Sequence, residues 1–194
     1  PADVIVVLKG PSEPIVLREK ERIAGLWMNA NSARFQSAPS YYAVASSRPI
    51  KGLVNERTAA IYELGLGNLQ LSPGIASGQE EQRRFERGLI ELKKRDGLYV
   101  EWPKGVEISD GVLYRARIDI PSKVPVGTYS AETFLVDRGK VIAVATREFE
   151  VGKVGFERQV VLTSQRRPLL YGLAAVFLSL MMGWAAAAIF QRRA

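Results

Sequence analysis

Residues 133–144 read TFLVDRGKVIAV, two apolar runs facing each other across Asp137-Arg138-Gly139-Lys140. Glycine enters left-handed backbone at little steric cost, and tight hairpins need that conformation at the turn. The stretch therefore predicts two antiparallel strands joined by a short connection. Just before it, Val124-Pro125-Val126-Gly127-Thr128-Tyr129 gives a proline-rich entry and a Gly-Thr-Tyr opening, as is common ahead of late strands in immunoglobulin-like sandwiches.

Working outward, most of the chain follows the same rule. GVLYRARIDIP (111–121) places Leu113, Ala116, Ile118 and Ile120 mostly in alternation with polar neighbours, as a half-buried strand requires. GLYVEWP (97–103) and SYYAVASSRP (40–49) each give one strand, and residues 13–35 give two more short runs. DVIVVLKG (3–10) is a continuous apolar run closed by Gly10-Pro11, the mark of a strand buried on both faces. Two helices interrupt this pattern. Asn55 to Gly65 has an asparagine cap, an apolar edge and a glycine stop. Ser77-Gly78-Gln79-Glu80 has capping-box form, after which Phe85, Leu89 and Leu92 share one face, the charges opposite reading as a solvated surface.

Short strands with frequent turns favour a sandwich over a parallel sheet. The expected fold is mainly β: an immunoglobulin-like β-sandwich over residues 1–153, with a two-helix insertion at about residues 50–96. Residues 154–167 then form a juxtamembrane segment, either a short interfacial helix or a plain linker.

The end of the chain is different in kind. Pro168 to Phe190 carries no charge over 23 residues and lies between Arg166-Arg167 and Arg192-Arg193. As a helix it extends about 34 Å, slightly more than the hydrocarbon thickness of a bilayer. Tyr171 and Trp184 lie toward its two ends, where amphipathic rings favour the headgroup region. With the four arginines they form the expected membrane-interface set. The reading is a transmembrane helix over 168–190 and a tail at 191–194. Two arginines on each side leave the charge rule nearly balanced, with a lean toward a cytoplasmic C-terminus. Ala175, Ser179, Gly183 and Ala187 recur every four residues, opposite Leu173, Phe177, Leu180 and Trp184. A stripe of small side chains lets a second helix approach closely, so these four are the expected helix-docking residues, toward a second copy or a larger membrane partner.

Composition removes much catalytic chemistry. The chain has 194 residues, 47% of them hydrophobic, with a net charge of +7 and neither cysteine nor histidine. Histidine triads, thiol nucleophiles and Cys/His zinc sites therefore cannot be built. The basic excess does not form a nucleic-acid footprint, because residues 79–96 hold six Lys/Arg against five Asp/Glu. Gly65-Leu66-Gly67-Asn68 lacks the third glycine and the strand-to-helix setting of a dinucleotide fingerprint. The carboxylate pairs Glu80/Glu81 and Glu101/Glu107 read as surface ion-pairing groups rather than an acid and a base. Tyr41, Tyr42, Trp27 and Trp102 read as core aromatics rather than a ligand groove. No catalytic residue, metal site or cofactor is expected, and the chain does not read as an enzyme.

Taken together, LKGPSEPIVLREKERIAGLWMNA, PSYYAVASSRPI, VPVGTYSAETFLVDRGKVIA, KVGFERQV and RPLLYGLAAV resemble a family of alphaproteobacterial transmembrane proteins of uncharacterised role. The resemblance covers nearly the whole chain. It implies a signal peptide that is removed, a domain exported to the periplasm and one C-terminal span of the inner membrane. Arg192 and Arg193 then face the cytoplasm. It also implies a further strand or two ahead of PADVIVVLKG, so the domain is expected to lack N-terminal residues here. The expected function is that of a non-enzymatic accessory or assembly subunit of an inner-membrane protein complex, respiratory or photosynthetic. Its partners are that integral membrane complex and the lipid bilayer. The alternative is a periplasmic binding module associated with an anion transporter for sulfite or sulfonates.

Overall fold

A computed structural model describes residues 2–23, 25–73, 78–152, 164–165 and 168–191. It divides into two units, Pro1–Val151 and Gly152–Ala194.

The first unit is organised around β1 (Asp3–Lys9), in which every residue from Val4 to Leu8 is buried. Successive side chains of a strand point to opposite faces. Ile5 and Val7 thus enter one apolar cluster, with Tyr42, Leu53 and Leu64, while Val4 and Val6 enter another, with Ala45 and Val106. A strand covered on both faces has no polar face to show, which explains its unbroken apolar run.

Antiparallel neighbours flank β1 on each side, β4 (Tyr42–Ser46) and β9 (Gly127–Asp137). Beyond them lie β10 (Lys140–Val151) and β6 (Tyr99–Pro103), giving the order β10-β9-β1-β4-β6. The β9–β10 hairpin closes as expected, with positive φ at both Arg138 (47°) and Gly139 (79°). Positive φ at both central residues is what the tight hairpin turn demands. Near the start of β9, the Tyr129 hydroxyl donates to the Pro125 carbonyl at 2.8 Å, the tyrosine-corner arrangement of β-sandwiches.

The molecule is mainly β, but its layout departs from two antiparallel sheets packed face to face. Among the described residues the strands fall into three sheets, and β4 pairs with β6 in parallel. Parallel neighbours need a long crossover connection, and the helical insertion is that connection. It contains 3-10 turns at Ile50–Gly52 and Leu66–Asn68, α1 (Glu56–Ile61), the short β5 (Ser72–Pro73) and α2 (Gln79–Arg95). Its Leu53, Val54, Ala59, Leu64 and Leu66 cover one face of the main sheet. The other face meets Val106 of β7 (Val106–Ser109), Ala116 of β8 (Leu113–Ala116) and Ile118. Leu113 was expected to be half-buried. It is exposed instead, because β7 and β8 form a two-stranded sheet of their own.

Asn55 caps α1 as expected, its side chain accepting from the Thr58 N–H at 2.7 Å. For α2 the cap is Gly78, without a side-chain hydrogen bond, and Ser77 lies outside the described residues. Phe85 and Leu89 are buried as the periodicity predicts, whereas Leu92 is partly exposed.

Residues 13–35 hold the largest departure. In place of two short runs they form a long hairpin of β2 (Ser12–Ile23) and β3 (Leu26–Pro39). Its base packs Ala33, Phe35 and Ala38 against Phe85 and Leu89 of α2. Two ion pairs, Lys93–Glu13 at 2.9 Å and Arg84–Glu19 at 2.9 Å, fasten α2 along β2.

In the second unit, α3 (Pro168–Gln191) is a helix of 24 residues. Counted over the described residues alone, no helix is long and apolar enough to cross a membrane. Of the expected juxtamembrane segment only Ser164 and Gln165 are described, and both are helical.

Candidate functional site

Three places in the structure are candidates for function: two clefts and the terminal helix. The first is a cleft of about 340 Å³ at the carboxyl ends of the parallel strands β4 and β6. Ser46, Trp102 and Glu101 come from the strands, Ile50 and Lys51 from the first 3-10 turn, and Gly65 and Asn68 from the second. Glu101 is occupied structurally, accepting the backbone N–H of Leu66. Gly65 sits at φ 95°, and a β-carbon there would stand 3.0 Å from a Glu101 carboxylate oxygen. The Gly65-Leu66-Gly67-Asn68 stretch is thus a turn locked against β6, following α1 rather than joining a strand to a helix.

The neighbouring tyrosines brace the same region. The Tyr42 hydroxyl donates to the Glu63 carbonyl and accepts from the Gly65 N–H at 3.1 Å. The Tyr99 hydroxyl donates to the Pro39 carbonyl at 2.8 Å, and that of Tyr41 to the Asp119 carbonyl at 2.9 Å. Burial raises the pKa of all three above the ordinary tyrosine value, Tyr41 to about 12. Tyr41 and Tyr42 are core residues as expected. Trp102 is partly buried and turned toward the clefts, while Trp27 is 69% exposed, which corrects its reading as a core residue.

A second cleft, about 490 Å³, shares Trp102 and Pro103 with the first. Lys104, Arg115 and Arg117 line it beside Glu107 and Asp119. Sequence reasoning had no signal for it, because Lys104 and the two arginines come from separate segments that only the β7–β8 pairing brings together. Glu80 and Glu81 stand elsewhere, in the first turn of α2. There they complement the partial positive charge of the helix start.

The third place is α3. Ala175, Ser179 and Gly183 lie on it at four-residue intervals, all exposed. The Ser179 hydroxyl donates to the Ala175 carbonyl at 2.9 Å, so this polar group is satisfied within the helix. A β-carbon at Gly183 would meet nothing within 4 Å. Leu173, Phe177, Leu180 and Trp184 are exposed at 66–72%. Tyr171 and Trp184 stand thirteen residues apart on the helix, about 20 Å along its axis. The Ala187 side chain and the arginines at 166, 167, 192 and 193 lie outside the described residues.

A family model described as "Putative transmembrane protein (Alph_Pro_TM)" matches residues 1–192. The chain belongs to this family. Membership spans both units, so the β-rich domain and α3 are parts of one transmembrane-family protein, which fits a place at the membrane. No curated protein and no solved structure matches it. Among the described residues no group of three or more Asp or Glu side chains is placed to hold a metal ion.

Proposed function

We propose that this protein is a non-enzymatic accessory or assembly subunit of an inner-membrane protein complex, anchored by α3 and presenting its β-rich domain to partner proteins. The observation that carries this reading is α3 itself. Its sequence is uncharged over all 24 residues, and every one of its described side chains is exposed. A helix whose apolar side chains lie open on all sides needs lipid or other helices around it. Over the full sequence of the helix, rather than the described side chains alone, the length matches a bilayer. The small-residue stripe at Ala175, Ser179, Gly183 and Ala187 supplies the face for close helix contact. Family membership supports the membrane, and the resemblance described above favours a periplasmic domain with Arg192 and Arg193 in the cytoplasm.

Purification in mild detergent followed by mass spectrometry is expected to return a stoichiometric membrane partner; a clean monomer would sink the proposal. Gly183→Leu is expected to reduce that co-purification while membrane insertion persists. For topology, cysteine in place of Lys140 should react with a membrane-impermeant thiol reagent in intact spheroplasts, and cysteine in place of Ala194 should not.

The second cleft favours one other reading, a periplasmic module that binds a small anion for a transporter of sulfite or sulfonates. Three cations against two carboxylates give it a modest positive excess. Thermal shift with sulfite, sulfate and taurine tests it, and no response to any of them would remove it.

A further inference from the structure

The β2–β3 hairpin has two unlike faces. Along β2, exposure alternates residue by residue from Ser12 to Lys20, after which Glu21 and Arg22 are both exposed. Glu13, Ile15, Leu17 and Glu19 turn toward α2, through the two ion pairs and the apolar cluster already described. The opposite face carries Val16, Arg18, Lys20 and Arg22. Register places Arg34 opposite Val16, Ser32 opposite Arg18, Asn29 opposite Lys20 and Trp27 opposite Arg22. This outward face thus holds four cations and no carboxylate. Among the described residues none of the four forms an ion pair; Arg22 alone has a polar contact, donating to the Gly25 carbonyl at 3.4 Å.

At the far end of the same ribbon the character changes. Leu26, Trp27 and Met28 are 70%, 69% and 52% exposed. Consecutive strand residues point to opposite sides. Trp27 therefore extends the basic face, while Leu26 and Met28 extend the other.

We propose that this hairpin docks onto the surface of an anionic phospholipid bilayer. Its outward face would meet the headgroups, and Leu26, Trp27 and Met28 would enter the interface. Two observations select this occupant. Four cations without a counter-charge complement a surface of lipid phosphates, toward which each basic residue contributes about 1 kcal/mol. The apolar tip is also open on both sides of the ribbon. A protein groove or a second copy covers one side of a strand, whereas an interfacial medium surrounds both, and tryptophan favours that depth. The choice of a bilayer further rests on the reading that α3 anchors the chain. Only 16 residues, 152–167, separate β10 from α3, at most about 55 Å of extended chain.

The absence of cysteine allows a clean test. The full chain carrying Asn29→Cys, which leaves Trp27 in place, is labelled with an environment-sensitive fluorophore and reconstituted into vesicles. One set contains phosphatidylglycerol and phosphatidylcholine, the other phosphatidylcholine alone. The expected result is a blue shift in the anionic vesicles, with quenching by nitroxide-bearing lipid and shielding from iodide. The response should weaken about fivefold for each of Arg18→Gln, Lys20→Gln and Arg34→Gln. The same label at Lys140→Cys should stay water-like. A label at position 29 that stays water-like and iodide-accessible would overturn the proposal. So would shielding from iodide without lipid quenching, which would assign the tip to a protein. Flotation after alkaline carbonate extraction reads the α3 anchor separately. Loss of the chain from the vesicles would fault the anchor, whereas a retained chain with a water-like label would fault the hairpin.

Discussion

Two of the protein's hairpins, β9–β10 and β2–β3, are built to different purposes. In β9–β10 the inner strand enters the centre of the main sheet, with Phe134 and Val136 buried beside β1. In β2–β3 only the base is packed, and the tip leaves Leu26, Trp27 and Met28 open. Both turns use a glycine at positive φ, Gly139 at 79° and Gly25 at 86°. The local turn chemistry is therefore shared, and what separates the two is how much neighbouring surface each strand removes from water. Apolar side chains stabilise the fold in the first hairpin. In the second they remain available for something outside the chain.

The sharpest way to break this comparison is to truncate one aromatic in each hairpin. Phe134→Ala removes a buried ring that meets Tyr62 edge-on at 5.5 Å. It is expected to cost about 3–5 kcal/mol in urea unfolding of the full chain in detergent, followed by near-ultraviolet circular dichroism. Trp27→Ala should stay within about 0.5 kcal/mol. Comparable losses at the two sites would show that the β2–β3 tip is packed after all.

A smaller effect is expected from Tyr42→Phe. The change leaves the Glu63 carbonyl and the Gly65 N–H without the hydroxyl that serves both, at about 1–3 kcal/mol. Alkaline titration probes the same tyrosines. A buried tyrosine with a raised pKa keeps its proton while the unfolded chain loses it. Stability should therefore hold below about pH 10 and fall as the pH rises toward 12, the Tyr41 value. Absorbance of tyrosinate against circular dichroism checks this, and ionisation of Tyr41 well before unfolding would contradict its burial.

The smallest difference lies in the turns. Gly139→Ala should cost about 1–2 kcal/mol, because a β-carbon is strained at that φ and the turn fixes core register. Gly25→Ala carries the same local strain at a tip that frays without opening the core, so its effect on global unfolding should be smaller.

The same contrast explains what the sequence shows. Residues 133–144 are legible because their apolar runs, turn glycine and burial all agree. The β2–β3 hairpin was not, because Arg18-Glu19-Lys20-Glu21-Arg22 interrupts any apolar pattern. Glu19 sits on a strand there because Arg84 of α2 meets its charge, a partner more than sixty residues away that no local window contains. The parallel β4–β6 pairing was hidden for the same reason, since register across a crossover leaves no local mark. In α3 the uncharged run and the small-residue spacing were plain. The second cleft was invisible, its cations arriving from separate segments. Trp27 was misread because an aromatic in an apolar run ordinarily goes inside.

The position of β1 has a consequence for how the chain is made. Its seven residues are made well before residues 130–136, for which one whole edge must wait. Until then, among the described strands, this apolar strand has β4 alone beside it. Synthesis therefore passes through a long interval with a sticky, half-paired edge, which is where holding factors would act. Chains cut short before Gly127 should clump rather than fold, whatever the quality of the segments they already contain.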